Sequence, residues 1–374
     1  MSVSRIIPIH VPHQSADYVV YVGAGLVAEL GVHALKVLPE AKRCVLMSDS
    51  NVIALHGKAV TESLTDAGLV VDVLQVVPGE ASKNAGELVR LVEGMIAIGL
   101  SRSDLVVALG GGVVGDLAGL AAALCMRGVA VVQCPTSLLA QVDASVGGKV
   151  AVDLTAGKNL LGTFHFPSFV LVDPNVLMTL PDREFACGLA EMLKHALLFD
   201  ADEVDVLMRD APALYARDHD VLMRAIERSI GFKAACVAQD PFERERGGGR
   251  KLLNLGHTVG HALEWASQRE LLHGEAIALG LRATARISER LGVAASGLET
   301  DIVEALTRLR LPTALDPWLE QKRTQALLRG LVADKKRDAS AVSYIALERP
   351  GTPRIIELDP REIVRLLQPT SSAC

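Results

Sequence analysis

The stretch LVVALGGGVVGDLAGLAAAL (105–124) decides the reading of the first half of the chain. An unbroken apolar run ends in Gly110, Gly111 and Gly112, and a second run of helical length follows. Strand, glycine turn and helix in that order make one step of a doubly wound sheet. Glycines at such a turn let the backbone approach a phosphate. The helix that follows offers free N–H groups and a partial positive charge. The stretch is not G-x-G-x-x-G, and it lacks the lysine of a P-loop. A tight strand-to-helix turn accounts for the glycines as well as pyrophosphate binding does.

The flanking sequence repeats this texture. YVVYVG (18–23), CVLMSD (44–49), VVDVLQVV (70–77), VAVVQC (129–134) and FVLVDP (169–174) read as buried strands. NVIALHGKAVTESLTDAG and KNAGELVRLVEGMIAIG read as helices between them. Alternating strands and helices imply a mostly parallel sheet covered on both faces. After Pro174 the patterns turn almost wholly helical, as in GLAEMLKHALL, EVDVLMRDAPALYARD and GLETDIVEALTRLRL, with a short hairpin expected at VSYIAL and RIIEL. This places a domain boundary near residue 177, giving domains 1–177 and 178–374. The run ERERGGGRK (243–251) reads as a flexible turn.

Length and composition fit two domains: 374 residues, half of them apolar, support a large core. Aromatics are scarce, so Leu, Val, Ala and Ile must fill it. A net charge of −6 argues against a general nucleic-acid binder. The longest apolar run, between Asp116 and Arg127, is about half the ~20 residues of a membrane span, and the N-terminus shows no signal-peptide pattern. The six cysteines form no C-x-x-C and read as reduced thiols. The expectation is a soluble cytoplasmic protein.

Two groups of polar residues point to chemistry. Asp49, ending its strand, is placed to accept hydrogen bonds from ribose hydroxyls, which favours NAD over NADP. Glu80 and Lys83 in PGEASKN also read as ordinary first-turn residues. The second group is LNLGHTVGH (253–261) with LHGEA (272–276), which holds His257, His261 and His273. His257 and His261 are i and i+4, so spacing alone nominates them as a chelating pair, but the base of an HExxH protease is missing. With Glu191 on another apolar helix, a mixed histidine and carboxylate site suits a catalytic divalent ion such as zinc. Lys149, Lys158, Lys194, Lys233, Arg250, Lys335 and Lys336 recur beside these signals. Each alone fits a solvated surface charge; together they suit a dianionic ligand carrying phosphate and carboxylate.

GGGVVGDLAG, MRG, PTSLLAQVDASVGGK, GKNLLG, REFACGLAEMLKHALL, LNLGHTVGHALE, HGEA and DKK occur in this order across nearly the whole chain. In this the chain resembles the 3-dehydroquinate synthases of the shikimate pathway. The resemblance implies an α/β fold, with an N-terminal Rossmann-like, mostly parallel sheet domain and a C-terminal, mainly α-helical metal-binding domain. It implies zinc or cobalt on Glu191, His257 and His273, with His261 turned to the substrate. It assigns NAD to Asp49, Asn51, Glu80, Lys83, Gly111, Gly112, Val113, Asp116, Thr136, Ser137, Leu139, Thr179 and Leu180, with Asp143, Lys149, Lys158 and Asn159 near nicotinamide and substrate. It assigns substrate binding to Lys149, Asn159, Lys194, Lys233, Arg250, Asn254, His261, Lys335 and Lys336. Arg127 would reach the partner's active site in a homodimer.

By the same resemblance the substrate is 3-deoxy-D-arabino-heptulosonate 7-phosphate. NAD-dependent oxidation at C5 acidifies the neighbouring hydrogen, phosphate is eliminated, the hydride returns, and an intramolecular aldol step closes 3-dehydroquinate. The chain departs from the family pattern at Ser137, where a second threonine is usual, and at His195, where tyrosine is usual. The segment between Lys233 and Asn254 is also about three residues longer, which bears on Glu245 and Arg250. The competing readings are a metal- and NAD-dependent polyol or alcohol dehydrogenase, another sugar-phosphate cyclase, and a regulator without activity.

Overall fold

The computed structural model describes residues 5–9, 17–245, 248–268, 270–333 and 341–368. The chain forms two compact units, Met1–Pro181 with Arg217–Phe242, and Asp182–Ala216 with Glu243–Cys374. A single cut near residue 177 does not describe this division. The helix within 217–242 returns to the first unit and packs on its N-terminal strand and on the turn at 140–144.

The first unit contains strands β1 (Arg5–Ile9), β2 (Tyr18–Val22), β3 (Arg43–Asp49), β4 (Val70–Val76), β5 (Leu105–Gly110), β6 (Ala130–Pro135), β7 (Lys149–Leu154), β8 (Gly157–Phe164) and β9 (Phe169–Val172). Its helices are α1 (Leu30–Val37), α2 (Ser50–Asp66), α3 (Ala85–Ile98) and α4 (Gly112–Leu124). The seven-stranded sheet runs β1-β2-β9-β6-β5-β3-β4. All neighbours are parallel except the edge pair β1–β2. The inner strands β5 and β9 are buried at every position, whereas edge strand β4 exposes Val70 and Val73. Side chains alternate between two cores, as the period of two requires. Leu105, Val107 and Leu109 join one core with Cys44 and Leu46; Val106 and Ala108 join the other with Val45 and Met47.

Helix α4 is apolar nearly all round because it is covered nearly all round. A Cβ on Gly119 would lie 2.4 Å from Val150 Cγ1, so that glycine lets α4 press against β7. Strands β7 and β8 form a separate antiparallel hairpin, although SVGGK and GKNLLG carry no clear strand pattern in the sequence.

The second unit contains α5 (Asp182–Phe199) and α6 (Ala201–Tyr215); α7 (His219–Gln239) belongs to the first unit. It continues with α8 (His257–Ala266), α9 (His273–Arg290), α10 (Leu298–Arg308), α11 (Gln321–Ala333), hairpin β10 (Val342–Arg349) and β11 (Thr352–Leu358), and α12 (Pro360–Leu367). The expected late hairpin is therefore present. Apolar residues of α8, α9, α11, α12 and β10 form one core, including Val259, Leu263, Leu279, Ile287, Leu327, Leu331, Tyr344 and Ile363. Of the run ERERGGGRK, Gly249 and Arg250 open a short 3-10 helix, Gly249–Asn254; Arg246 and Gly247 lie outside the described residues. No helix among the described residues is long and apolar enough to cross a membrane.

Candidate functional site

In the first unit the dinucleotide candidates gather at the carboxyl ends of the parallel strands. Strand β3 has β4 on one side and β5 on the other, so the order of the sheet reverses there. Open α/β sheets bind ligands at such a switch point. Asp49 ends β3, Gly111 and Gly112 follow β5, Thr136, Ser137 and Leu139 follow β6, and Thr179 and Leu180 follow β9. Helix α4 begins at Gly112 with Gly111 as its N-cap, and no side chain caps it. Its first N–H groups, including that of Val113, therefore have no side-chain cap, as at helix N-termini that can accept an anion. Contrast α2 and α3, capped by Asp49 and Asn84. Asp49 Oδ1 accepts from the N–H groups of Asn51 (2.9 Å) and Val52 (3.0 Å). It therefore holds its helix as well as standing at the strand end.

A polar network crosses this region. Buried Lys83 lies 2.5 Å from Asp116 Oδ2 and donates to Asn159 Oδ1 at 2.6 Å. Asn159 has φ 54°, a left-handed conformation, and its N–H is held by Asp153 Oδ1 at 2.8 Å. Burial pushes the Asp116 carboxyl above its usual range despite Lys83. Lys158 pairs with Glu80 at 2.7 Å, and Lys233 on α7 pairs with Asp143 at 2.8 Å. Lys149, at the start of β7, is exposed. Thr179 Oγ1 donates to Val176 O and meets His56 Nε2 at 3.0 Å, a contact that no sequence pattern marked. Arg127 is exposed, and Met126 and Arg127 are both left-handed, at φ 49° and 68°. The Arg102 guanidinium pins that turn through two hydrogen bonds to Met126 O, at 2.9 and 2.7 Å.

In the second unit three elements bring donors together. Helix α5 is buried from Phe185 to Leu198 and carries Glu191, fully buried, with Lys194 Nζ 2.5 Å from its Oε2. Helix α8 starts at His257 because Gly256 takes the left-handed conformation, φ 76°, as its N-cap. Helix α9 starts at His273. Its first turn is anchored by Glu275, which accepts from Leu272 N at 2.8 Å and grips Arg183 of α5 through both carboxylate oxygens, each at 2.7 Å. Glycines let α8 and α9 close: a Cβ on Gly280 would lie 2.0 Å from Gly256 O.

Glu191 Oε1 lies 3.3 Å from His273 Nε2 and 3.7 Å from His257 Nε2. One donor atom from each of these three residues falls within 4.8 Å of the others. Both imidazoles are oriented from behind. His257 Nδ1 lies 3.1 Å from Leu255 O, and a carbonyl only accepts, so Nδ1 carries the proton and Nε2 the lone pair. His273 Nδ1 lies 3.3 Å from Glu264 Oε2, a carboxylate that accepts its proton and leaves Nε2 directed at Glu191. Burial and Lys194 hold His257 well below its ordinary pKa. Burial also pulls His273 down, but Glu191 and Glu264 lift it to about 9. One carboxylate and two Nε2 atoms, each ring backed through its Nδ1, fit the donor set that would hold a catalytic divalent ion.

His261 lies beside this set, edge-on to His257 with ring centroids 5.1 Å apart and 5.9 Å from His273, without joining the three converging donors. Arg250 is buried and Asn254 half-buried on the segment that leads into α8, and His195 is buried next to Lys194. Lys335 and Lys336 lie outside the described residues. Glu264 escaped the sequence reading. Its signal was spacing, since it follows His257 by seven positions and shares that face of α8.

Known proteins are similar to the chain along most of its length. Residues 73–187 match the family 3-dehydroquinate synthase N-terminal, and residues 188–337 match 3-dehydroquinate synthase C-terminal. The chain is 44% identical to a 3-dehydroquinate synthase of Symbiobacterium thermophilum, over 89% of this chain and 92% of the relative. It is 43% identical to that of Caulobacter vibrioides, over 91% and 92%. Among solved structures it is similar to a 2-deoxy-scyllo-inosose synthase complexed with carbaglucose-6-phosphate, NAD+ and Co2+, with TM-score 0.85 and 26% identity over 97% of this chain and 99% of that one. It is equally similar to the 2-epi-5-epi-valiolone synthase of Streptomyces hygroscopicus with NAD+ and Zn2+, with TM-score 0.85 and 26% identity over 95% and 96%. A probable glycerol dehydrogenase from Sinorhizobium meliloti, 19% identical with TM-score 0.65 over 92% of this chain and 93% of that one, shares the fold. The chain is an enzyme of the 3-dehydroquinate synthase family.

Proposed function

We propose that this chain converts 3-deoxy-D-arabino-heptulosonate 7-phosphate to 3-dehydroquinate and phosphate, as a carbon–oxygen lyase that uses catalytic NAD and a divalent ion, zinc or cobalt. The observation that carries the reading is the convergence of Glu191 Oε1 with the Nε2 atoms of His257 and His273. When bound, the ion supplies Lewis acidity toward substrate hydroxyls and the dinucleotide accepts and returns a hydride.

The chain's own residues do the rest. Glu191, His257 and His273 hold the ion. Asp49, Asn51, Glu80, Lys83, Thr179 and Leu180 hold the nucleoside portions. The bare N-terminus of α4 at Gly111, Gly112 and Val113 takes the pyrophosphate. Asp116, Thr136, Ser137, Leu139 and Asp143 line its course. Lys83 orders Asn159 and Asp116 by direct contact. Lys149, Lys158, Asn159, Lys194, Lys233, Arg250, Asn254, His261, Lys335 and Lys336 bind the carboxylate and phosphate of the substrate, and their positive charge stabilises the phosphate as it leaves. The departing phosphate serves as base for its own elimination.

The proposed assembly is a cytoplasmic homodimer to which Arg127 contributes across subunits. The reading rests on the family resemblance; in this chain Arg127 is exposed on a left-handed turn that Arg102 holds, so its side chain is free of the core. Mixed dimers of R127A and K149A test it; they recover activity only if the two residues serve one site from different subunits.

Incubation with the heptulosonate phosphate, substoichiometric NAD and zinc or cobalt tests the main reading. Phosphate released in many-fold excess over NAD, with no net NADH, supports it. NADH accumulating with turnover indicates a dehydrogenase instead, and the absence of phosphate release refutes the reading.

A further inference from the structure

We infer that Glu264 is a positioning residue for the metal centre. By accepting the His273 Nδ1 proton, it presents the His273 Nε2 lone pair to the ion. The inference rests on the metal reading above and adds a residue to it.

The two histidines are oriented by different means. His257 leans on a main-chain carbonyl two residues away, Leu255 O, so its partner is fixed by the backbone and immune to substitution. His273 leans on a side chain of another helix, Glu264 Oε2, at 3.3 Å. Glu264 is seven residues after His257 on α8, so one helix face supplies both a donor and the support of the donor on α9. Its side chain is 13% exposed, so water competes weakly for the contact. A carboxylate behind an imidazole also makes it a better ligand than a carbonyl does, and such partners typically contribute about 10–100-fold in metal affinity. The geometry gives Glu264 no place among the three converging donors; it acts through His273.

The test compares E264Q, whose amide oxygen still accepts from Nδ1, with E264L, which fills the space and accepts nothing. The readouts are zinc affinity by chelator competition and the visible spectrum of the cobalt-substituted protein. The expected result is about a 10–100-fold loss of zinc affinity and an altered cobalt spectrum in E264L, with E264Q intermediate, since its amide keeps the hydrogen bond and lacks the charge. NAD affinity should be unchanged in either. E264L with wild-type affinity and spectrum overturns the inference, and so does E264Q as weak as E264L. If E264L fails to fold, E264A takes its place with the same two readouts: the same loss supports the inference, and wild-type affinity and spectrum overturn it. Failure of the wild-type protein to bind zinc or cobalt would instead remove the metal reading itself.

Discussion

Gly274 lies against Cys187 so closely that a Cβ on the glycine would sit 2.3 Å from the cysteine Cα and 2.6 Å from its carbonyl oxygen. Gly274 follows His273 at the start of α9, and Cys187 is one turn before Glu191 on α5. The bare backbone contact therefore sets the spacing between a histidine and the carboxylate it faces. G274A should cost about 1–3 kcal/mol, because main-chain atoms cannot yield as a side chain can. Chemical denaturation should show that loss, and zinc affinity should fall with it while NAD affinity holds.

The carboxylate and the neighbouring histidine separate by substitution. E191Q and H273A should each abolish stoichiometric zinc and metal-dependent turnover, with NAD binding retained. E191Q should also destabilise the metal-free protein by about 3–5 kcal/mol, because it removes the negative charge 2.5 Å from buried Lys194. H261A should keep zinc and lose affinity for the phosphate-bearing substrate; loss of zinc there would restore the i, i+4 pair. Zinc titration and substrate affinity measured on the three proteins check this.

The ion competes with a proton at His273. With burial opposed by Glu191 and Glu264, its pKa in the metal-free protein is about 9. Below that value His273 is an imidazolium and must release a proton to ligate. Zinc affinity should therefore rise with pH, by about tenfold per unit from pH 7 toward 9, and level off above. Isothermal titration in buffers of different ionisation enthalpy should count about one proton released at pH 7.5.

Asp49 has two duties that a single variant pair separates. D49A should lose about 1 kcal/mol of stability through the α2 cap and also lose NAD affinity. D49S keeps an N-cap acceptor but lacks the acidic one, so stability should stay near wild type. NAD affinity should still fall, and discrimination against NADP should narrow. Thermal unfolding and fluorescence titration with both dinucleotides measure the two effects.

Much of this was legible because it rests on local pattern. Buried parallel strands read as unbroken β-branched runs, and Gly110–Gly112 marked the end of β5, the strand beside the reversal at β3. The hairpin β7–β8 was hidden because its short runs alternate weakly and are broken by glycine and lysine. The return of α7 to the first unit was hidden because helical periodicity says which face is apolar and not what covers it. The donors Glu191, His257 and His273 come from three helices, so their convergence is a fact of packing. Spacing alone would have chosen His261, four residues from His257 on the same helix. Glu264 and the Arg183–Glu275 clamp went unmarked because glutamate and arginine on helices usually face solvent.

The central claim is that a carboxylate and two imidazoles from α5, α8 and α9 hold one ion. Anomalous diffraction at the zinc edge, on crystals grown with stoichiometric zinc and NAD, tests it most directly. The expected result is one strong peak within bonding distance of Glu191, His257 Nε2 and His273 Nε2. A peak bridging His257 and His261, or one seated away from Glu191, would contradict it.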